Sequence, residues 1–108
     1  IDTNKDRLAA VAPFGATPVL SDEVASTPEL ADSDLVLEVC GSVAAVPVGL
    51  NLLRFGGHYV WAGMVHPASG LSNITGEQII RKCMHVYGSH NYAPVHLEEA
   101  MQFLSTSA

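Results

Sequence analysis

The sequence predicts an α/β fold organised on a doubly wound parallel sheet, and three features predict it. The run Leu35 to Gly41 is β-branched and aliphatic and closes on a glycine, and a second run, Gly57 to Gly63, has the same character. Between them, Ser42 to Arg54 carries the apolar spacing of a helix. A third apolar run follows at Cys83 to Gly88. Strands that are apolar nearly throughout and separated by helical patterns belong to sheets covered on both faces. Such sheets bind ligands at the carboxyl ends of their strands, so the residues around Gly41 and Gly63 are the first candidates for a site.

With 108 residues, 48% of them hydrophobic, residues 1–108 fit one small domain. A core of that size is modest. Eleven acidic against five basic residues give a formal charge of −6, which argues against nucleic acid or an anionic membrane as partner. No run approaches the roughly 18 apolar residues that span a bilayer. Cys40 and Cys83 fall in different predicted strands, without a second Cys or His at metal-ligand spacing. Buried, reduced thiols are the expectation, and with them an intracellular, cytoplasmic location. The beginning shows neither a basic stretch nor an apolar signal core, so Asn73-Ile74-Thr75 is read as a chance match to a glycosylation acceptor. Ile1-Asp2 reads as the last step of a strand without an initiator Met, and the expectation is a fragment of a larger protein.

The elements follow in order. Thr3 or Asn4 caps a first helix, which Pro13 and Gly15 stop. Thr17 to Leu20 reads as a brief strand, and Ser21 to Asp34 as a polar, acidic connection with one helical turn at Pro28 to Ala31. The next helix starts near Ala44 or Ala45, which puts Pro47 in its first turn, where the missing N–H costs nothing. Its apolar side is Val46, Leu50 and Leu53, and Phe55-Gly56-Gly57 turns the chain into the second strand. His66 to Asn73 is a loop. Thr75 with Glu77 and Gln78 caps a short helix to Lys82, whose buried side is Ile79 and Ile80. Pro94 to Leu104 forms a closing helix with Leu97, Ala100, Met101 and Leu104 on one side.

Asp2 is the sharpest single residue. An acidic side chain at the end of the second strand of a dinucleotide-binding unit accepts hydrogen bonds from ribose hydroxyls and repels a 2′-phosphate. The competing reading is a terminal residue that caps the helix, since no glycine fingerprint precedes it. Gly56, Gly57 and Gly63 also read as plain turn glycines. Glu38, set among apolar residues, needs a partner. His58, His66, His85, His90 and His96 show no i, i+4 pair and no Cys/His cluster, so no metal site is expected of them.

Several segments in order are similar to the medium-chain, zinc-type alcohol dehydrogenase family: Ile1-Asp2-Thr3-Asn4-Lys5-Asp6-Arg7-Leu8, Phe14-Gly15-Ala16-Thr17 and Asp34-Leu35-Val36-Leu37-Glu38-Val39-Cys40-Gly41. The likeness continues through Leu53-Arg54-Phe55-Gly56-Gly57-His58-Tyr59-Val60, Ala62-Gly63 and Val86-Tyr87-Gly88-Ser89-His90-Asn91-Tyr92. The resemblance implies an incomplete Rossmann-like doubly wound parallel sheet that lacks the first strand and its glycine-rich turn. It implies that Asp2 binds the adenosine ribose with Lys5 beside it, and that Val39, Cys40 and Gly41 line the adenine-side crevice. Ala62, Gly63 and Met64, with Ser89, His90 and Asn91, would run past the nicotinamide. Asp2 favours NAD over NADP. The implied reaction moves hydride between an alcohol and its aldehyde or ketone, with zinc held outside this chain; this chain supplies no catalytic acid, base or metal ligand and is inactive alone. The implied partners are the rest of the dehydrogenase, which would cover the edge of Leu35 to Gly41, and further copies in a homo-oligomer. The alternative is a small α/β binding or interaction module without catalysis.

Overall fold

The computed structural model describes residues 1–107. Its elements are α1 (Lys5–Val11), β1 (Ser33–Glu38), α2 (Ala45–Leu52), β2 (Leu53–Trp61), α3 (Gly76–Arg81), β3 (His85–Gly88) and α4 (Pro94–Thr106). They fall into two compact units: Glu29–His90 is one, and Ile1–Pro28 with the chain from Asn91 onward is the other.

The first of these units is the sheet. Its strands lie in the order β1-β2-β3, all parallel, so the α/β expectation holds. Side chains alternate between the faces of a strand, and the register therefore sorts them. Val36 and Tyr59 face α2, which buries Val46 and Leu50; Tyr59, Val46, Leu50, Leu53 and Met84 make the core, and Val36, Leu71, Ile74 and Ile79 pack against it. The opposite face carries two cross-strand rows, Leu35–His58–His85 and Leu37–Val60–Tyr87. There the His58 and His85 rings stack at 4.6 Å, and His58 Nδ1 lies 3.2 Å from the Tyr87 hydroxyl. Leu35 and Leu37 are exposed.

The strand boundaries depart from the sequence reading at both ends of β1 and β2 and at the start of β3. β2 begins at Leu53, not Gly57, which shortens the preceding helix. Ser33 pairs with Leu53 but Leu35 pairs with His58, so Arg54 to Gly57 form a bulge inside the strand. Gly56 takes φ 71° there and donates its N–H to Lys82 O at 2.8 Å. β3 begins at His85, because Cys83 and Met84 close the end of α3 through Ile80 O and Ile79 O. β1 ends at Glu38, and Val39 to Gly41 turn back over its carboxylate. Both thiols consequently lie outside strands, and both are free and exposed rather than buried. Of the two isoleucines expected to bury α3, only Ile79 reaches the core, since adjacent helical residues point about 100° apart; Ile80 is exposed.

Tyr59 is 1% exposed, and its hydroxyl is buried without a hydrogen-bond partner among the described residues. Burial, and then the charge of Glu38, push its ionisation up to about 12. An unpaired buried donor is costly, so Tyr59→Phe is expected to raise stability by about 1 kcal/mol, read from the urea midpoint. A loss of stability would mean that the hydroxyl is satisfied.

In the second unit, Asn4 caps α1 by accepting the N–H groups of Asp6 and Arg7 at 2.8 and 3.1 Å. A 3-10 turn, Ala12–Phe14, then ends on Gly15. The brief strand at Thr17 to Leu20 is only a parallel bridge between Asp2 and Leu20. Two hydrogen bonds make it, Asp2 N–H to Val19 O at 3.2 Å and Ser21 N–H to Asp2 O at 3.0 Å. The acidic connection contains a 3-10 helix at Ser21–Ser26 that its composition did not announce, and the turn at Pro28–Leu30 forms as expected. α4 starts on Pro94 and runs two residues past Leu104. Its apolar side, Leu97, Met101 and Leu104, is exposed, because a helical period says which residues share a side and not what covers it. Phe14 meets Phe103 at 6.0 Å between ring centroids.

Candidate functional site

The carboxyl ends of β1 and β2 converge on one side chain. Glu38, the last residue of β1, is 4% exposed and accepts from Gly41 N–H at 2.5 Å, Gly63 N–H at 3.2 Å and the Cys40 thiol at 3.3 Å. Its carbonyl accepts from the N–H groups of Ala62 and Gly63, both at 3.0 Å. A buried carboxylate persists when its lone pairs are filled, and here the two turns fill them. The structure thus brings Cys40, Gly41, Ala62 and Gly63 together, and it supplies the partner that Glu38 needed.

The glycines are held by close approach. A Cβ on Gly63 would lie 2.6 Å from both Gly41 N and Val39 C and 2.8 Å from Glu38 Oε1. Gly41 takes φ 73°, in the left-handed region that favours glycine. Gly63 is therefore a glycine of turn-against-turn contact, more specific than the plain turn residue of the sequence reading. His66 completes the arrangement: its Nε2 stands 2.8 Å from Gly41 O, and since a carbonyl only accepts, Nε2 carries the hydrogen. No sequence signal marked His66.

Beside these turns is a cavity of about 280 Å³ bordered by Trp61, Ala62, Met64, Val65, Ser69 and Gly88. It is an open hollow at the carboxyl ends of β2 and β3, smaller than the about 300 Å³ at which small-molecule pockets begin. Ser89, which follows Gly88, donates its N–H to Trp61 O at 2.9 Å. Val39, 74% exposed, points outward, and His90 is also exposed.

Asp2, Lys5 and Asn91 belong to the other unit and are described there alone. Asn91 is exposed at φ 59°. Asp2 Oδ1 accepts from Arg7 Nη2 at 2.6 Å and from Asn4 N–H at 2.8 Å, while Oδ2 accepts from Arg7 Nε at 2.9 Å. The Arg7 guanidinium, and then the Asn4 N–H, hold the Asp2 carboxyl well below the usual carboxylate range. The sign follows: what the pair contributes is complete above the ordinary carboxylate pKa near 4 and is lost only as pH falls below it. Lys5 is exposed at the start of α1, so Arg7, five residues on, is the cation that meets Asp2. The sequence reading named Lys5 and overlooked Arg7; the available signal was the single turn of helix that separates Arg7 from its cap. A hollow of about 350 Å³ opens beside the pair, bordered by Ile1, Asp2, Arg7, Leu8 and Thr17.

Among the described residues no three His, Cys, Asp or Glu side chains come together as a metal site, so the residues present do not fit a zinc ion. No helix among them is long and apolar enough to cross a membrane.

Solved structures share this fold. An alcohol dehydrogenase from Thermotoga maritima is 22% identical, with a TM-score of 0.81 over 98% of this chain and 32% of its own. The alcohol dehydrogenase TADH from Thermus sp. ATN1 is 22% identical, with a TM-score of 0.76 over 97% and 32%. L-idonate 5-dehydrogenase from Escherichia coli is 21% identical, with a TM-score of 0.71 over 97% and 30%. The chain thus spans about a third of the length of these proteins, 30–32%. At such identities the likeness is one of fold, the Rossmann-like part of an alcohol dehydrogenase. No curated protein sequence matches the chain. The family profile described as zinc-binding dehydrogenase matches residues 1–106, and the chain belongs to that family.

Proposed function

We propose that this chain is part of the dinucleotide-binding domain of an NAD-dependent alcohol dehydrogenase and orients the cofactor for hydride transfer with a small alcohol, aldehyde or ketone. The observation that carries the reading is the convergence of Gly41, Ala62 and Gly63 on Glu38 at the strand ends, beside the cavity of Ala62, Met64 and Gly88. Ligands of open parallel sheets bind at that end.

In this reading Asp2 accepts a ribose hydroxyl on Oδ2, which has taken one donor where Oδ1 has taken two. Arg7 fixes the carboxylate, and Lys5 lies beside the same sugar. A negative carboxylate disfavours a 2′-phosphate, hence NAD before NADP. Val39, Cys40 and Gly41 line the adenine side. Ala62, Gly63, Met64, Ser89, His90 and Asn91 pass the nicotinamide, mainly through backbone groups. The chain supplies no catalytic acid, base or metal ligand and is inactive alone; the family's zinc belongs to residues outside it. The rest of the dehydrogenase, in a cytoplasmic homo-oligomer, covers the unpaired backbone edge of β1.

Calorimetric titration of NAD into the dehydrogenase that carries these residues tests the assignment. Asp2→Ala is expected to weaken NAD about tenfold, the scale of one hydrogen bond to a charged group, while narrowing the preference over NADP. Unchanged NAD affinity would remove Asp2 from the site.

A further inference from the structure

We propose that Glu38 and His66 act as positioning residues that set the spacing between the adenine-side turn, Val39 to Gly41, and the nicotinamide-side turn, Ala62 to Met64. The inference rests on the NAD reading above and names what makes the two ends of that site commensurate. Neither residue needs to touch the cofactor.

The geometry points to it in three ways. The two carboxylate oxygens of Glu38 are divided between the turns, Oε1 to Gly41 N–H and Oε2 to Gly63 N–H. His66 ties the turns a second time, in the opposite sense, by donating from the nicotinamide-side loop to the Gly41 carbonyl. The glycines then leave no slack: the Cβ that Gly41 lacks would lie 2.6 Å from Gly63 O, and the one that Gly63 lacks would lie 2.6 Å from Gly41 N. Gap, donors and acceptors are therefore fixed together.

The choice of a carboxylate is informative. Ending one strand in a turn requires a single acceptor, which a neutral side chain supplies without the cost of burying a charge. Glu38 is buried, and no Lys, Arg or His is paired with it among the described salt bridges; its partners are two backbone amides and a thiol. What a carboxylate adds is two equivalent acceptors on one rigid plane. A glutamine has one oxygen, and its NH2 would face one of the two amides, donor against donor. Glu38→Gln therefore removes the side-chain acceptor from one turn while keeping size and shape, and leaves in place the backbone bonds from Ala62 N–H and Gly63 N–H to the Glu38 carbonyl.

A dinucleotide bridges both turns, whereas ADP occupies only the adenosine side. In the whole dehydrogenase, Glu38→Gln is thus expected to raise the dissociation constant of NAD about tenfold and to leave that of ADP within about twofold. His66→Ala is expected to weaken NAD selectively in the same way, and His66→Gln, whose amide nitrogen can take the place of Nε2, to restore it. Loss of both ligands in parallel would mean that Glu38 only supports the fold, and unchanged NAD affinity would mean that the spacing is set elsewhere; either result overturns the proposal. A wild-type protein that binds ADP but not NAD overturns it as well, and that outcome strikes the cofactor reading first.

Discussion

Replacing Gly63 by alanine is expected to destabilise the sheet unit by about 3 kcal/mol, the upper end of what overpacking costs. The reason is the nature of the obstacles. The added Cβ would meet two backbone atoms, Gly41 N and Val39 C, at 2.6 Å, and the Glu38 carboxylate at 2.8 Å. A flexible side chain could swing aside, but a turn held at both ends by Glu38 cannot yield without losing Gly41 N–H or Gly63 N–H as donors. The expected result is a lower urea midpoint with an unchanged slope. Gly15→Ala is the control, because no atom lies within 4 Å of its Cβ position, and its cost comes only from φ 79°. Equal losses at the two positions would mean that close approach is not what Gly63 serves.

The second large effect is expected at Leu50. It is 2% exposed, on the face of α2 that packs against the sheet, and belongs to a cluster with Val46, Leu53, Tyr59 and Met84. Leu50→Ala removes buried methyl groups and leaves a cavity, at a cost of about 2–5 kcal/mol. Leu37→Ala, at a residue 59% exposed, is expected to cost less than about 1 kcal/mol, since surface changes are usually small. The contrast matters because both leucines belong to apolar runs of similar appearance in the sequence. A comparable loss at Leu37 would show that its face of the sheet is covered in the protein as tested.

What was legible in the sequence divides along this line. Apolar runs, glycine punctuation and helical spacing located the three strands, α2, α3 and α4, because period and turn chemistry are local. The cap of α1 was readable as Thr3 or Asn4, of which Asn4 serves, and Thr75 as a cap for the same reason, with Pro47 as a first-turn residue. Register is not local: the bulge at Arg54 to Gly57 exists because β2 pairs with β1 on one side and Gly56 reaches Lys82 on the other. A glycine pair in such a place looks like a turn. Exposure is not local either, so the thiols of Cys40 and Cys83 were expected to be buried and are exposed, and the shared side of α4 did not reveal that it stands open. Of the candidate site, Gly41, Ala62 and Gly63 stood out because strands end there. Glu38 stood out as an isolated charge, but its two amide partners lie in different turns, one of them 25 residues away. His66 and Arg7 acquire meaning only through contacts, with Gly41 O and with Asp2.

The central claim is that NAD lies across the carboxyl ends of these strands. The most direct measurement is a titration of NAD into the dehydrogenase, followed by the backbone amide chemical shifts of this region. The expected result is saturable movement of Ala62, Met64 and Ser89 at the nicotinamide end and of Cys40 at the adenine end, in one binding event. Saturable NAD binding that leaves Ala62, Met64 and Ser89 unmoved would contradict it.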